Sequence, residues 1–188
     1  MIIMINGAFG AGKTTTSSML QPLIPNSMIY DPEEIGLMIR KVVPEEIRLK
    51  EEQTDDFQDI ELWRILTVKI ALEVRLKYKR HLIVPMTIYK SENFEYIYNG
   101  FRDIDKDIKH FCLKASEETI HKRLAIRGDK LDGWSYKQTK KCVEALRSNR
   151  FQEHIETDNL ATKEIVEIIL RKISKNIEGN LEEVTDFT

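Results

Sequence analysis

The chain has 188 residues, of which 41% are hydrophobic and 32% charged, a balance that suits one soluble globular domain with a substantial core. Its formal net charge of -2 excludes the overall positive field that nucleic acid or an anionic membrane would attract. No apolar run approaches the roughly 18–20 residues of a spanning helix, and Met1–Ile5 is too short for a signal-peptide core, so the expected location is cytoplasmic.

Short apolar runs alternate with longer helical patterns, which predicts parallel strands joined by crossover helices. Met1–Ile5 reads as a buried first strand. Directly after it, Gly7-Ala8-Phe9-Gly10-Ala11-Gly12-Lys13-Thr14 matches G-x-x-x-x-G-K-[ST] in full, after a strand and before an expected helix. Gly7, Gly10 and Gly12 can adopt positive φ, so backbone N–H groups can close around phosphate oxygens. The next helix then points its positive end at the same anion. In this pattern Lys13 reaches the β- and γ-phosphates and the Thr14 hydroxyl ligates Mg²⁺. Ala8, Phe9, Ala11 and Thr15 complete the cradle for ATP. Thr14-Thr15-Thr16-Ser17-Ser18 are mediocre helix formers, so packing and bound phosphate are expected to hold that helix.

Ser27–Tyr30 predicts the second strand, and Asp31-Pro32-Glu33-Glu34 opens a helix with a cap, a first-turn proline and acids at the positive end. Two readings of Asp31 stand together. It caps the helix, and it also lies at the carboxyl end of a strand, where open α/β sheets bind ligands. There it could take the proton of an acceptor hydroxyl or hold Mg²⁺ through water; capping would lower its pKa. Phe57 to about Lys79 is the longest helical pattern, with Ile60, Trp63, Leu66, Ile70 and Val74 on one apolar stripe. Trp63 fits the core as well as a substrate contact, whereas Asp59 and Arg64 lie on the polar edge near the expected acceptor pocket.

His81–Met86 predicts the third strand, with Pro85 marking its end or a bulge. Pro85-Met86-Thr87 offers no Walker-B aspartate, and no Asn-Lys-x-Asp loop reads guanine, so motor ATPases, transporters and GTPase switches fit poorly. Thr87 ends that strand on the acceptor side. Ile108–Leu113 predicts the fourth strand. Cys112 within it and Cys142 in a later helix have no zinc or Cys-x-x-Cys spacing and read as packing residues. Ser116-Glu117-Glu118 opens a helix that stops at Gly128. Arg123 and Arg127 share one face of it, either as a solvated basic face with Lys122 and Lys130 or as charges on phosphate. Ser135 with Gln138 resembles a capping box. His154–Thr157 is a weak fifth strand, and Thr157-Asp158-Asn159 turns from it into a last helix over 163–175. The four histidines show no ligand spacing, so no metal beyond the nucleotide's Mg²⁺ is expected.

The order Gly7–Thr14, Tyr30-Asp31-Pro32-Glu33, Leu62-Trp63-Arg64, Val84-Pro85-Met86-Thr87 and Arg123…Arg127-Gly128 resembles the tunicamycin-resistance-type ATP-binding proteins. These are a branch of the nucleotide- and shikimate-kinase-like P-loop group, and the resemblance runs over about residues 1–170. It implies an α/β P-loop NTPase fold: a five-stranded parallel sheet in the order 2-3-1-4-5, helices on both faces, and a small lid. It further implies one domain over 1–175, a lid over about 123–150 that begins at Arg123 and Arg127, and a C-terminal appendage over 176–188. Adenine would lie by Asn159. The expected function is phosphoryl transfer from ATP to a nucleoside- or sugar-like molecule, tunicamycin among the candidates. Lys13, Asp31, Arg123 and Arg127 would be catalytic, and Asp31, Asp59, Trp63, Arg64 and Thr87 would hold the acceptor. The alternative is ATP-dependent sequestration of a drug without chemistry. The expected partner is a small molecule, with no nucleic acid; a homodimer is compatible with the sequence.

Overall fold

The computed structural model describes residues 1–185, with side chains described over residues 1–174. The elements in chain order are β1 (Ile2–Gly7), α1 (Lys13–Leu20), β2 (Ser27–Ile29), α2 (Pro32–Val42), α3 (Glu61–Tyr78), β3 (His81–Met86), α4 (Ser91–Ile104), β4 (Ile108–Lys114), α5 (Glu117–Arg127), α6 (Trp134–Leu146), β5 (His154–Glu156) and α7 (Thr162–Thr185). The sheet is parallel with the order β2-β3-β1-β4-β5, as the resemblance implied. Helix α7 continues into the segment expected as an appendage, where the side chains, and residues 186–188 altogether, lie outside those described.

β1 is buried throughout because it lies mid-sheet with helices on both faces. Ile2 and Met4 join Leu82, Val84 and Cys112 under α2 to α6. Ile3 and Ile5 point the other way, with Ile83, Phe111 and Leu113, against α1 and α7. Cys112 and Cys142 are both buried free thiols, pushed up to about 12 by burial, which suits packing.

Four local readings change. Pro85 lies inside β3, paired with Ile5, rather than at a strand end or bulge. Ile83, two residues earlier, presents its carbonyl to Tyr30 on the β2 side, so the donor that Pro85 lacks would point past the end of β2. Second, the long helix begins at Glu61; Phe57–Asp59 is a separate 3-10 turn capped by the Asp56 side chain, with Ile60 extended after it. Its fully buried face is Trp63, Thr67 and Ala71, while Leu66, Ile70 and Val74 are only partly buried. Third, α6 starts at Trp134 on a Gly133 cap, so Ser135 is a first-turn residue and forms no capping box. Fourth, α4 was not expected. Asn and Gly weaken its propensity, yet Phe94, Ile97 and Phe101 recur at helical spacing and fill the core.

Candidate functional site

The loop between β1 and α1 is shaped by its backbone. Gly12 takes φ 100°, a left-handed conformation that a side chain would strain, and turns the chain into α1. Gly7 passes so close to β4 that an added Cβ would meet the Leu113 carbonyl at 2.8 Å. Asn6 anchors the loop from beneath. Its carbonyl oxygen accepts from Gly7 N (2.8 Å) and Ile88 N (2.9 Å), and its amide donates to the Ile88 carbonyl (2.9 Å). The start of α1 has no side-chain cap and no first-turn acid, so its free N–H groups suit an anion.

Lys13 folds back over this loop. Its Nζ donates to the Ala8 carbonyl at 3.0 Å and lies 5.6 Å from the Phe9 ring centroid. Burial pushes its pKa down, against the opposing pull of Glu33 and, more weakly, Asp31. Thr14 and Thr15 are exposed at the mouth of the cleft. That cleft has a volume of about 470 Å³ and is lined by Gly10–Thr15, Arg123 and Arg127. Ile126, Leu160, Ala161 and Ile165 add apolar surface to the lining. Asn159 is exposed and is not among the residues that line the cleft.

The two arginines differ. Arg123 donates to the Thr157 carbonyl (2.7 Å) and hydroxyl (3.2 Å), whereas Arg127 forms a two-pronged pair with Asp129 at 2.6 Å on each arm. The helix carrying both ends at Gly128, as expected.

Asp31 caps α2 by accepting from Glu33 N at 2.9 Å. Its pKa nevertheless goes up, because burial outweighs the capping hydrogen bond; the lowering expected from capping is corrected. Glu33, expected only to favour the helix end, is the larger electrostatic partner of Lys13. Burial raises its pKa as well, while Lys13 and Arg127 draw it down.

The remaining expected acceptor contacts separate. Trp63 is 1% exposed, with its indole N–H donating to the Pro32 carbonyl at 2.9 Å, so it is a core residue and does not present its ring to a ligand. Thr87 is 3% exposed and its hydroxyl has no partner. Asp59 and Arg64 line a second cleft with Gln58, Glu92 and Asn93. A polar chain approaches that cleft from α6: Lys141 donates to the Tyr89 hydroxyl (3.2 Å), Tyr89 to buried Asp56, and neighbouring Lys90 to Asp59. None of Asn6, Asp56, Tyr89, Lys90 or Lys141 carries a motif that would have marked it as part of a site. Trp134, at the start of α6, meets Phe9 of the phosphate loop edge-on at 4.9 Å.

The loop donors, Lys13 and the exposed Thr14 hydroxyl fit a nucleotide with its Mg²⁺: they offer N–H groups and a cation to phosphate, and a neutral oxygen to the metal. Among the described residues, no helix is long and apolar enough to cross a membrane.

The AAA domain family matches residues 2–152. No curated protein matches the sequence. The tunicamycin resistance protein of Deinococcus radiodurans is 29% identical over 92% of this chain and 94% of its own, with a TM-score of 0.73. A gluconokinase from Sinorhizobium meliloti is 17% identical over 96% and 95%, with a TM-score of 0.67. Shikimate kinase from Acinetobacter baumannii, in complex with shikimate, is 17% identical over 93% of each chain, with a TM-score of 0.60; these last two share the fold. With the phosphate loop, the sheet order and the family match agreeing, the chain belongs to the AAA domain family and has its P-loop kinase-like fold.

Proposed function

We propose that this protein transfers the γ-phosphoryl group of ATP to a hydroxyl of a small nucleoside- or sugar-like molecule. The observation that carries the reading is the arrangement around Lys13. The loop N–H groups, Arg123 and Arg127 share its cleft, and two half-buried carboxylates, Glu33 and more weakly Asp31, attract its charge. This supports the reading of Lys13 as the point where a phosphoryl donor and a base would meet.

In this reading the loop N–H groups and Lys13 bind the phosphates. Lys13 exchanges the Ala8 carbonyl for phosphate oxygens. Thr14 would hold the nucleotide's Mg²⁺ on the protein side, and the ion would supply charge neutralisation. Asp31, with its pKa raised by burial, takes the acceptor hydroxyl proton as that oxygen bonds to phosphorus and the bond to the ADP oxygen breaks. Arg127 leaves Asp129 and neutralises the transferring oxygens, while Arg123 holds the cleft wall. The stretch 123–150 serves as the lid, and the protein works in the cytoplasm.

Likeness to the tunicamycin resistance protein supports a role in drug resistance, with tunicamycin as one acceptor to be tried. The test is incubation with Mg·ATP and a panel of nucleosides, sugars, amino-sugars and tunicamycin, followed by mass spectrometry. Phosphate on one acceptor, with matching ADP, supports the proposal. Saturable binding of a compound without phosphate transfer or ADP release replaces it with sequestration.

A further inference from the structure

Three stretches far apart in sequence converge at the carboxyl edge of the sheet: the turn before α3, the connection after β3, and α6. Asp56, Tyr89 and Lys141 join them. Asp56 and Tyr89 are 7% and 5% exposed, so both polar groups lie in the protein interior. The two oxygens of Asp56 hold different partners. Oδ1 accepts from Gln58 N at 2.9 Å and so caps the turn Phe57–Asp59, while Oδ2 accepts from the Tyr89 hydroxyl. Burial and this hydrogen bond push the Tyr89 phenol up, which keeps it a donor. The same hydroxyl accepts from Lys141 Nζ at 3.2 Å, and that ammonium also lies 4.7 Å from the centre of the Tyr89 ring. Lys141 is an exposed residue whose ammonium could extend into water, yet it is folded over Tyr89.

Each end of this network reaches a wall of the site. The capped turn presses Phe57 against α2 at Gly36, where an added Cβ would meet the ring at 2.5 Å. Phe57 also packs on Trp63 (5.3 Å between centroids), whose indole holds the Pro32 carbonyl at 2.9 Å. The start of α2, with Asp31 and Glu33, is therefore seated on the turn that Asp56 caps. At the other end, Trp134 and Lys141 are spaced i, i+7 on one face of α6, and Trp134 meets Phe9 of the phosphate loop. Cys142, next to Lys141, lies close enough to feel the charges of both Lys13 and Asp56.

We infer that Asp56 is a positioning residue for the transfer reaction, fixing α6 through Tyr89 and Lys141 and the start of α2 through its turn. The inference rests on the phosphoryl-transfer reading and adds a residue that contacts neither ATP nor the reacting atoms. Apolar side chains would fill the same space without desolvating a carboxylate. Directional bonds add a defined distance between the wall that carries Asp31 and the helix that meets the phosphate loop.

The experiment uses the full chain with ¹⁵N-labelled indoles, without nucleotide. Its two tryptophans report separately, Trp63 on the seat of α2 and Trp134 on α6 at the phosphate loop. Lys141→Met removes the exposed end of the network and leaves the core intact. It should shift the Trp63 signal as well as that of Trp134, although Lys141 bonds to Tyr89 and not to Trp63. Lys141→Arg, which keeps the cation, should return both signals to the parent positions. Asp56→Asn keeps the turn cap and should also shift both, and the double variant should shift Trp63 no further than Asp56→Asn alone. A Trp63 signal unmoved by Lys141→Met, or shifts that add in the double variant, overturns the inference. Where an acceptor from the panel is phosphorylated, Asp56→Asn should lower kcat by about tenfold to a hundredfold with KM for ATP unchanged. An undiminished kcat overturns the inference equally. Absence of phosphate on every compound would refute the transfer reading, while the two indole signals would still decide whether Asp56 links the two walls.

Discussion

Arg123 and Thr157 are joined by two hydrogen bonds, to the carbonyl at 2.7 Å and to the hydroxyl at 3.2 Å, and the same guanidinium reaches the Ala11 carbonyl at 3.4 Å. Thr157 is fully buried, and its hydroxyl passes the connection on to the Lys114 carbonyl at 3.0 Å. One side chain therefore ties α5, the phosphate loop and the end of β5 together. Arg123→Ala should cost about 1–3 kcal/mol of stability, because it leaves a buried carbonyl short of a charged donor. Arg127→Ala, whose partner Asp129 is close to solvent, should stay within about 0.5 kcal/mol and act on turnover instead. Urea unfolding of both variants with ADP titration decides this; equal stability for the two would mean that Arg123 is not structural.

Lys13→Met should abolish most ATP binding without unfolding the chain. The ammonium is buried and its folded pKa is lowered, so the charged form opposes folding below that pKa, and this cost is relieved as pH rises toward 10.5. An apolar chain of similar length removes the cost. The nucleotide-free variant is expected to melt no lower than the parent, while the rise in Tm that ATP gives the parent disappears. A large fall in Tm without nucleotide would contradict the desolvation argument.

Asp31→Asn keeps an N-cap acceptor, so stability should change little. Turnover should fall by about 10²–10⁴ if Asp31 is the base. The raised pKa of Asp31 has two opposite consequences. Its stability cost is relieved as pH falls below the raised value, because the folded chain keeps the proton longer than the unfolded one. Turnover, which needs the ionised form, is lost over the same descent. A pH–rate profile whose acid limb lies above the ordinary carboxylate range supports the assignment, and unchanged turnover in Asp31→Asn refutes it.

His110 supplies a stability prediction away from the site. Burial lowers its pKa from 6.5 to about 4, its Nδ1 lies 2.6 Å from the Gln152 carbonyl, and its ring packs on Phe94 at 4.7 Å between centroids. Between those two pH values the unfolded chain binds a proton that the folded chain does not. The contribution is therefore complete above 6.5 and falls, by up to roughly 3 kcal/mol, as pH drops toward 4. His110→Gln should flatten this dependence in urea unfolding followed from pH 7 to pH 4.

Wherever the physics is local, the sequence by itself determined the outcome. The phosphate loop follows from glycines and a lysine at set spacing beside an apolar strand, and the Asp31 cap and the Gly128 stop follow from backbone groups within a few residues. The buried strands were legible as short apolar runs, and the sheet order through resemblance rather than through any residue pattern. What only the tertiary structure decided depends on neighbours far along the chain. Asn6 meets Ile88 across 82 positions, and Trp63 is turned inward by the Pro32 carbonyl. The direction of the Asp31 pKa depends on how much protein covers it, which reverses the expectation from its cap alone. Asp59 and Arg64 share a polar helix edge in the sequence, yet it is the turn at Phe57–Asp59 and the unexpected α4 that gather them into a cleft separate from Lys13. Spacing along one element specifies which residues share a face; desolvation and pairing energies are set by the elements that fold against it.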